Sequence, residues 1–268
     1  MKKALTYLTF IDLSFLLLLG LSGFINGFLG DAVYYLAFLL PVSVAIALKG
    51  RLDVTPQFLP LRLSTKNACR LLPLVAPTLA VIFVVSWITS VLLSFVGEGS
   101  VTDVSGNIVT VILTHAVLTP LLEELLFRYV PIAFLAPVSK KGAVWMSAMF
   151  FAFAHCSFYQ IPYAFIAGVI FAAVDIAFDS IWPSVLIHFA NNFISVFWLR
   201  CAESASFVTA YIVILFALAL LSVAIIISKR ALYKELSVKI FLDNEKYVLS
   251  CEPMLFFVTA SVIAAFNL

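Results

Sequence analysis

The chain has 268 residues, of which 64% are hydrophobic and only 11% charged. Soluble domains run at about 45–50% apolar and about 25% charged residues, so this composition excludes a water-soluble globule, a disordered chain and a nucleic-acid binder. Sixteen Lys and Arg against fourteen Asp and Glu leave a formal net charge of +2, too small to imply a polyanionic partner; what remains is an integral membrane protein whose first partner is the lipid bilayer.

A bilayer crossing takes about 20 mainly apolar residues. Eight stretches qualify, at roughly 5–28, 32–49, 71–96, 108–136, 142–157, 161–178, 181–199 and 205–228. The first is too long for a signal peptide, carries Asp12 and ends without a small-residue cleavage pattern. The links between spans alternate in charge. Lys2 and Lys3 precede the first span, and Asp31 follows it. Lys49, Arg51, Arg62, Lys66 and Arg70 follow the second, and Glu98 and Asp103 the third. Lys140 and Lys141 follow the fourth, Arg200 and Glu203 the seventh, and Lys229, Arg230, Lys234 and Lys239 the eighth. This is a positive-inside pattern with both termini cytoplasmic, and seven or nine crossings would put a basic cluster on the wrong side.

The expected fold is therefore all-α, a polytopic membrane helix bundle of about eight transmembrane helices. It forms one integral membrane domain over 1–268, multi-pass in a bacterial-type plasma membrane. The link 50–70 reads as a loop of topogenic charges, with an amphipathic segment along the inner leaflet as the alternative. The last apolar stretch, 253–268, is short for a crossing and is expected at the interface or as a re-entrant segment. Cys69, Cys156, Cys201 and Cys251 have neither metal nor redox spacing and read as small packing residues.

In hydrocarbon the polar residues carry the information, because a charge at a helix centre costs about 2.5–3.5 kcal/mol on insertion scales. The fourth span holds Glu123, Glu124 and Arg128 in LTPLLEELLFRYVP. Glu124 and Arg128 are i,i+4 on one face and suit a buried ion pair. Glu123 points about 100° away, toward another cavity. Pro120, one turn earlier, leaves a backbone carbonyl without its donor. The fifth span holds His155, with Phe151 on the same face, and the seventh holds His188 and Asn192 at i,i+4, with Asn191 pointing elsewhere.

Three helices thus offer one inward polar face each. A carboxylate and an imidazole hold and deprotonate a water; a second imidazole and an amide donate to a developing oxyanion. That set suits amide hydrolysis. Glu123, His155 and His188 are also zinc-type ligands, so the cofactor is either none or a divalent metal. Asp175 and Asp179, an i,i+4 acid pair in the sixth span, lack an aspartyl-protease motif, no serine sits in a G-x-S-x-G elbow, and His115 is read as structural.

Glu123-Glu124-Leu-Leu-Phe-Arg128, Phe151-Ala-Phe-Ala-His155 and His188-Phe-Ala-Asn-Asn192 resemble, in order, the E-E-x-x-x-R, F-x-x-x-H and H-x-x-x-N motifs of the type II CAAX prenyl endopeptidase and bacteriocin-processing family. That group is also labelled abortive-infection or CAAX protease self-immunity proteins. The resemblance covers a core of about 108–199. It implies an eight-helix intramembrane endopeptidase for a peptide or membrane-associated protein, its site opening toward the cytoplasm. Glu123 and His155 would activate water, His188 and Asn192 would form the oxyanion hole, and Glu124 and Arg128 would support them. The alternatives are a non-catalytic immunity or partner-binding protein of the same fold, and a small proton-coupled transporter. One expectation strains the catalytic reading: at 1.5 Å per residue, straight helices leave His155 several ångströms outward of Glu123. Tilt, a kink at Pro120 or a sunken fifth span must close that gap.

Overall fold

The computed structural model describes residues 2–25, 27–47, 50, 55–93, 104–201 and 205–241. These residues are helical almost throughout, and no strand occurs among them. The helices are α1 (Lys2–Gly23), α2 (Phe28–Ala47), α3 (Thr65–Leu93), α4 (Ile108–Leu135), α5 (Lys140–Ala154), α6 (Ile161–Phe178), α7 (Trp182–Cys201), α8 (Ala205–Ser228) and α9 (Arg230–Phe241). Helix starts follow local chemistry. Asn107 caps α4, its Oδ1 accepting from Val109 N at 2.9 Å, and Ser139 caps α5, its Oγ accepting from Gly142 N at 2.8 Å. Pro162 occupies the first turn of α6, where its missing N–H costs nothing.

The two ends of the bundle differ in charge. At one end lie the start of α1, the segment 55–64, the α4–α5 and α6–α7 turns, and α9. Gln57 N donates to Ala133 O at 2.9 Å, and the Phe58 ring packs on Tyr129 at 5.0 Å, so this part of the 50–70 link is docked on α4. Asn67 Nδ2 donates to Phe178 O at 3.3 Å. Helix α9 turns 76° from α8 to lie across this end, held by Tyr233 OH to Pro73 O at 2.9 Å and by an Arg70–Glu235 ion pair at 2.7 Å. Arg62, Lys66, Arg70, Lys140, Lys141, Lys229, Arg230 and Lys234 all belong to this end. At the opposite end Tyr159 OH donates to Leu93 O at 3.0 Å, and the Arg200 guanidinium donates to Gly106 O. Arg200 is the one Lys or Arg there among the described residues.

Five of the described helices are long and apolar enough to cross a membrane, within α1, α2, α3, α4 and α6, and the bent pair α8–α9 brings the number to six. Eight crossings were expected. The two that fall short, α5 and α7, do so for physical reasons. Helix α5 has 15 residues, about 22 Å of rise against a hydrocarbon thickness of about 30 Å. Helix α7 has 20 residues but spends four of them on His188, Asn191, Asn192 and Arg200. Both helices carry motif residues. The stretch 253–268, Glu98, Asp103, Glu203 and Cys251 lie outside the described residues.

Helices α5 and α6 touch closely: a Cβ built on Gly168 would stand 2.8 Å from Ala148 Cα, so only glycine lets the two backbones approach this far. Of the cysteines, Cys156 is buried and Cys201 partly buried, but Cys69 is exposed rather than packed.

Candidate functional site

Helix α4 crosses the bundle with two widened π-helical stretches, Ile112–Leu118 and Leu125–Tyr129. Each is followed within two residues by a proline, Pro120 and Pro131. In the first stretch Thr119 N donates to Thr114 O, five residues back. The next donor in that ladder would be the nitrogen of Pro120, which carries no hydrogen. The His115 carbonyl therefore lacks that donor, and Asn192 Nδ2 from α7 donates to it at 3.0 Å. About three turns further along, beside Pro131, which likewise has no N–H to give, Phe127 O accepts from Ser147 Oγ of α5 at 2.5 Å and Arg128 Nη1 at 3.3 Å. The proline effect expected from sequence is thus a pair of side-chain docking points.

Helix α5 stops at Ala154, with His155 as its C-cap. Its last turn tightens, His155 N donating to Ala152 O and Cys156 N to Phe153 O, and His155 Nδ1 bonds the carbonyl of Phe151 at 2.8 Å. A carbonyl only accepts, so Nδ1 carries the proton. In the neutral ring Nε2 is then an acceptor.

Glu124 and Arg128 form the expected i,i+4 pair, Oε2 to Nε at 3.4 Å, with both side chains fully buried. The guanidinium lies over the Phe151 ring at 4.1 Å and near Phe171 at 5.7 Å, a cation–π arrangement where some of its N–H groups lack hydrogen-bond partners. Sequence reasoning missed the second partner of Glu124. His188 Nδ1 donates to Glu124 Oε1 at 2.8 Å, and His188 Nε2 stands 3.5 Å from Glu123 Oε2. His188 therefore bridges the adjacent acids, and their different faces decide their roles. The Glu123 side chain keeps 15% of its surface exposed while Glu124 keeps none. Only Glu123 is reachable from a cavity. Phe151 joins these parts, its ring edge-on to His155 at 4.7 Å and to His188 at 5.6 Å.

Asn191, read from sequence as pointing elsewhere, donates from Nδ2 to Asn192 Oδ1 at 3.0 Å. Asn192 thus accepts through oxygen and donates one N–H to His115 O, which fixes the orientation of its amide and leaves its second N–H to spare. Asn191 and the His115 carbonyl are site elements that the sequence did not reveal. The doublet Asn191-Asn192 was the available signal for the first.

Glu123, His155, His188 and Asn192 all line one cavity of about 280 Å³. Helix α5 ends at Ala154, so that His155, its C-cap, faces the same cavity as Glu123. The cavity has its floor at Glu123, just past the middle of α4, with Phe171 on α6 and His188 on α7 beside it, and runs along His115 and Thr119 on α4, Tyr163 on α6 and the ends of α3 and α7 (Ser86, Leu199). Val104 and Gln160 reach it from connecting loops. From its floor it therefore extends toward the Arg200 end. The start of α1 and helix α9 lie at the opposite, basic end.

Among the described residues no group of three His, Cys, Asp or Glu side chains stands where it could jointly hold an ion. The histidine Nδ1 atoms bond Phe151 O and Glu124, which fixes both rings, as such bonds also do for imidazoles that bind a metal through Nε2. Asp175 is a structural residue: its carboxylate accepts from Ser184 N at 2.9 Å and Ser184 Oγ at 2.7 Å, while Asp179 is an exposed helix cap with φ 51°.

No curated protein and no solved structure matches the chain. The stretch 105–194, which supplies Glu123, His155, His188, Asn192 and the Glu124–Arg128 pair, matches the family model described as type II CAAX prenyl endopeptidase Rce1-like.

Proposed function

We propose that this protein is an intramembrane endopeptidase that hydrolyses a peptide bond with a glutamate-activated water. The observation that carries the proposal is the convergence of Glu123, His155, His188 and Asn192, from three helices, on one cavity. The family-model match over 105–194 supports a CAAX-type membrane protease, hence a hydrolase acting on a peptide or protein in a membrane; a bacterial-type plasma membrane is part of the same proposal.

Each role follows from hydrogen-bond capacity. Glu123 and the Nε2 of His155 are both acceptors. A water that donates one hydrogen to each turns its lone pair toward an incoming carbonyl carbon. As the water attacks, its proton passes to Glu123, and the C–O bond forms while the carbonyl π pair moves onto oxygen. His188, protonated on both nitrogens, donates Nδ1–H to Glu124 and Nε2–H to that oxyanion, and the spare N–H of Asn192 supplies the second donor. Two carboxylates against Arg128 and a doubly protonated His188 leave this buried group neutral, which suits a low-dielectric setting. Glu123 then hands its proton to the leaving amine as the C–N bond breaks, which restores the carboxylate. Glu124 and Arg128 position His188 and touch no substrate.

The alternative chemistry uses Glu123, His155 and His188 as metal ligands. Asn192, a poor metal ligand and a good oxyanion donor, favours the metal-free version. In detergent-purified protein, a degenerate library of internally quenched peptides, with and without a prenylated cysteine near the C-terminus, reads both points. Cleavage is expected to survive chelation by EDTA and phenanthroline. Its loss on chelation and return with zinc would overturn the metal-free mechanism. Glu123→Gln is expected to remove cleavage; retention would overturn the enzyme reading itself.

A further inference from the structure

We infer that the cavity is served from the non-cytoplasmic side of the membrane, so that its substrate is a polypeptide segment presented on that side. The hydrolytic part of this statement rests on the function proposed above; the orientation does not.

Five helices line the cavity. Its floor lies near mid-bundle, at Glu123 on α4, Phe171 on α6 and His188 on α7, and from there it extends toward the Arg200 end past Ser86 on α3, His155 at the end of α5, Tyr163 on α6 and Leu199 on α7. Gln160 and Val104 extend it to the connecting loops of that end. Toward the other end the path is closed. Leu126, Phe127, Arg128, Val130, Ile132 and Phe134 on α4 are all buried, so a chain entering from there would have to displace the core.

Charge fixes which end faces the cytoplasm. Eight Lys and Arg residues, Arg62, Lys66, Arg70, Lys140, Lys141, Lys229, Arg230 and Lys234, gather at the closed end. The cavity end carries Arg200 alone among the described residues. Lys and Arg in short loops beside spans are retained in the cytoplasm, and the bias decides orientation. Basic side chains at the closed end also meet the anionic inner leaflet, which attracts them. An orientation that turned the cavity inward would send eight cations outward and retain one. The substrate is then an exported peptide chain or the outward end of a membrane-anchored one.

Thiol accessibility in the full-length chain tests this. Cys69, Cys156, Cys201 and Cys251 are replaced by serine, and single cysteines are restored at Cys69, which is exposed near the basic end, or introduced as Gln160→Cys and Ser105→Cys at the cavity end. A membrane-impermeant maleimide is applied to intact cells and to inverted vesicles. The expected result is at least tenfold more labelling of Gln160→Cys or Ser105→Cys in intact cells, and of Cys69 in inverted vesicles. The reverse pattern, or equal labelling from both sides, overturns the orientation whatever the activity. The quenched peptide library added outside sealed vesicles supplies the second arm: cleavage is expected in right-side-out vesicles only. Outward labelling with no cleavage by either vesicle would leave the orientation standing and defeat the hydrolytic reading.

Discussion

His188 stands between a fully buried acid, Glu124, and a partly exposed one, Glu123. Its hold on Glu124 depends in turn on Arg128, which has no escape to water. Removing one partner of a buried pair costs about 3–5 kcal/mol, because the other charge stays buried and uncompensated. Arg128→Met is therefore expected to lower the unfolding midpoint of the detergent-solubilised protein by several degrees. Glu123→Gln, which keeps shape and lies outside that pair, should leave the midpoint within about a degree. Equal effects on both would show that Glu124–Arg128 is not the structural half of the cluster. The i,i+4 spacing of Glu124 and Arg128 made their pairing legible in sequence. The bridge to His188 was not legible, since it joins residues 64 positions apart and no periodicity reports a contact between helices. The same holds for Asn192 and the His115 carbonyl, 77 positions apart.

Helix α4 shows how a backbone defect becomes a binding group. A proline after a π-helical turn removes one donor from the ladder, and a side chain from a neighbouring helix takes the orphaned carbonyl. Pro120→Ala restores an N–H that competes with Asn192 for His115 O. The helix should be at least as stable, since proline in a helix interior is unfavourable by about 3 kcal/mol relative to alanine. Asn192, however, loses the partner that orients its amide. The expected outcome is an unchanged or higher unfolding midpoint with kcat reduced about tenfold or more and KM little altered, measured on the quenched peptide library. A fall in KM with kcat unchanged would instead mean that the proline shapes the substrate groove. Composition and proline position were enough to expect a free carbonyl here. They did not reveal the widened turns, because π-helical stretches have no side-chain signature of their own.

The bundle as a whole is asymmetric along the membrane normal, with a packed basic half and a hollow half. This asymmetry weighs against the transporter reading, which needs access from both sides: beyond Glu124 the core of α4 is filled among the described residues. The expectation of an all-helical membrane protein followed directly from 64% hydrophobic residues. The expectation of eight similar spans was less secure, because a hydropathy reading treats every apolar stretch as a through-going rod. Helix α5 ends at Ala154 instead, and His155, its C-cap, faces the same cavity as Glu123. A sequence gives the composition of such a stretch but not the depth at which it stops. The resemblance implied a cavity opening toward the cytoplasm, whereas cavity position and charge together point to an outward one.

Every role assigned above depends on Glu123 being the group that takes the proton from water. The decisive measurement is the ratio of cleavage rates of wild type and Glu123→Gln, purified side by side and matched in unfolding midpoint, on one peptide that the quenched library shows to be cut. General-base catalysis contributes about 10²–10⁴-fold, so the predicted ratio lies in that range. Equal rates from two equally folded proteins would contradict the account.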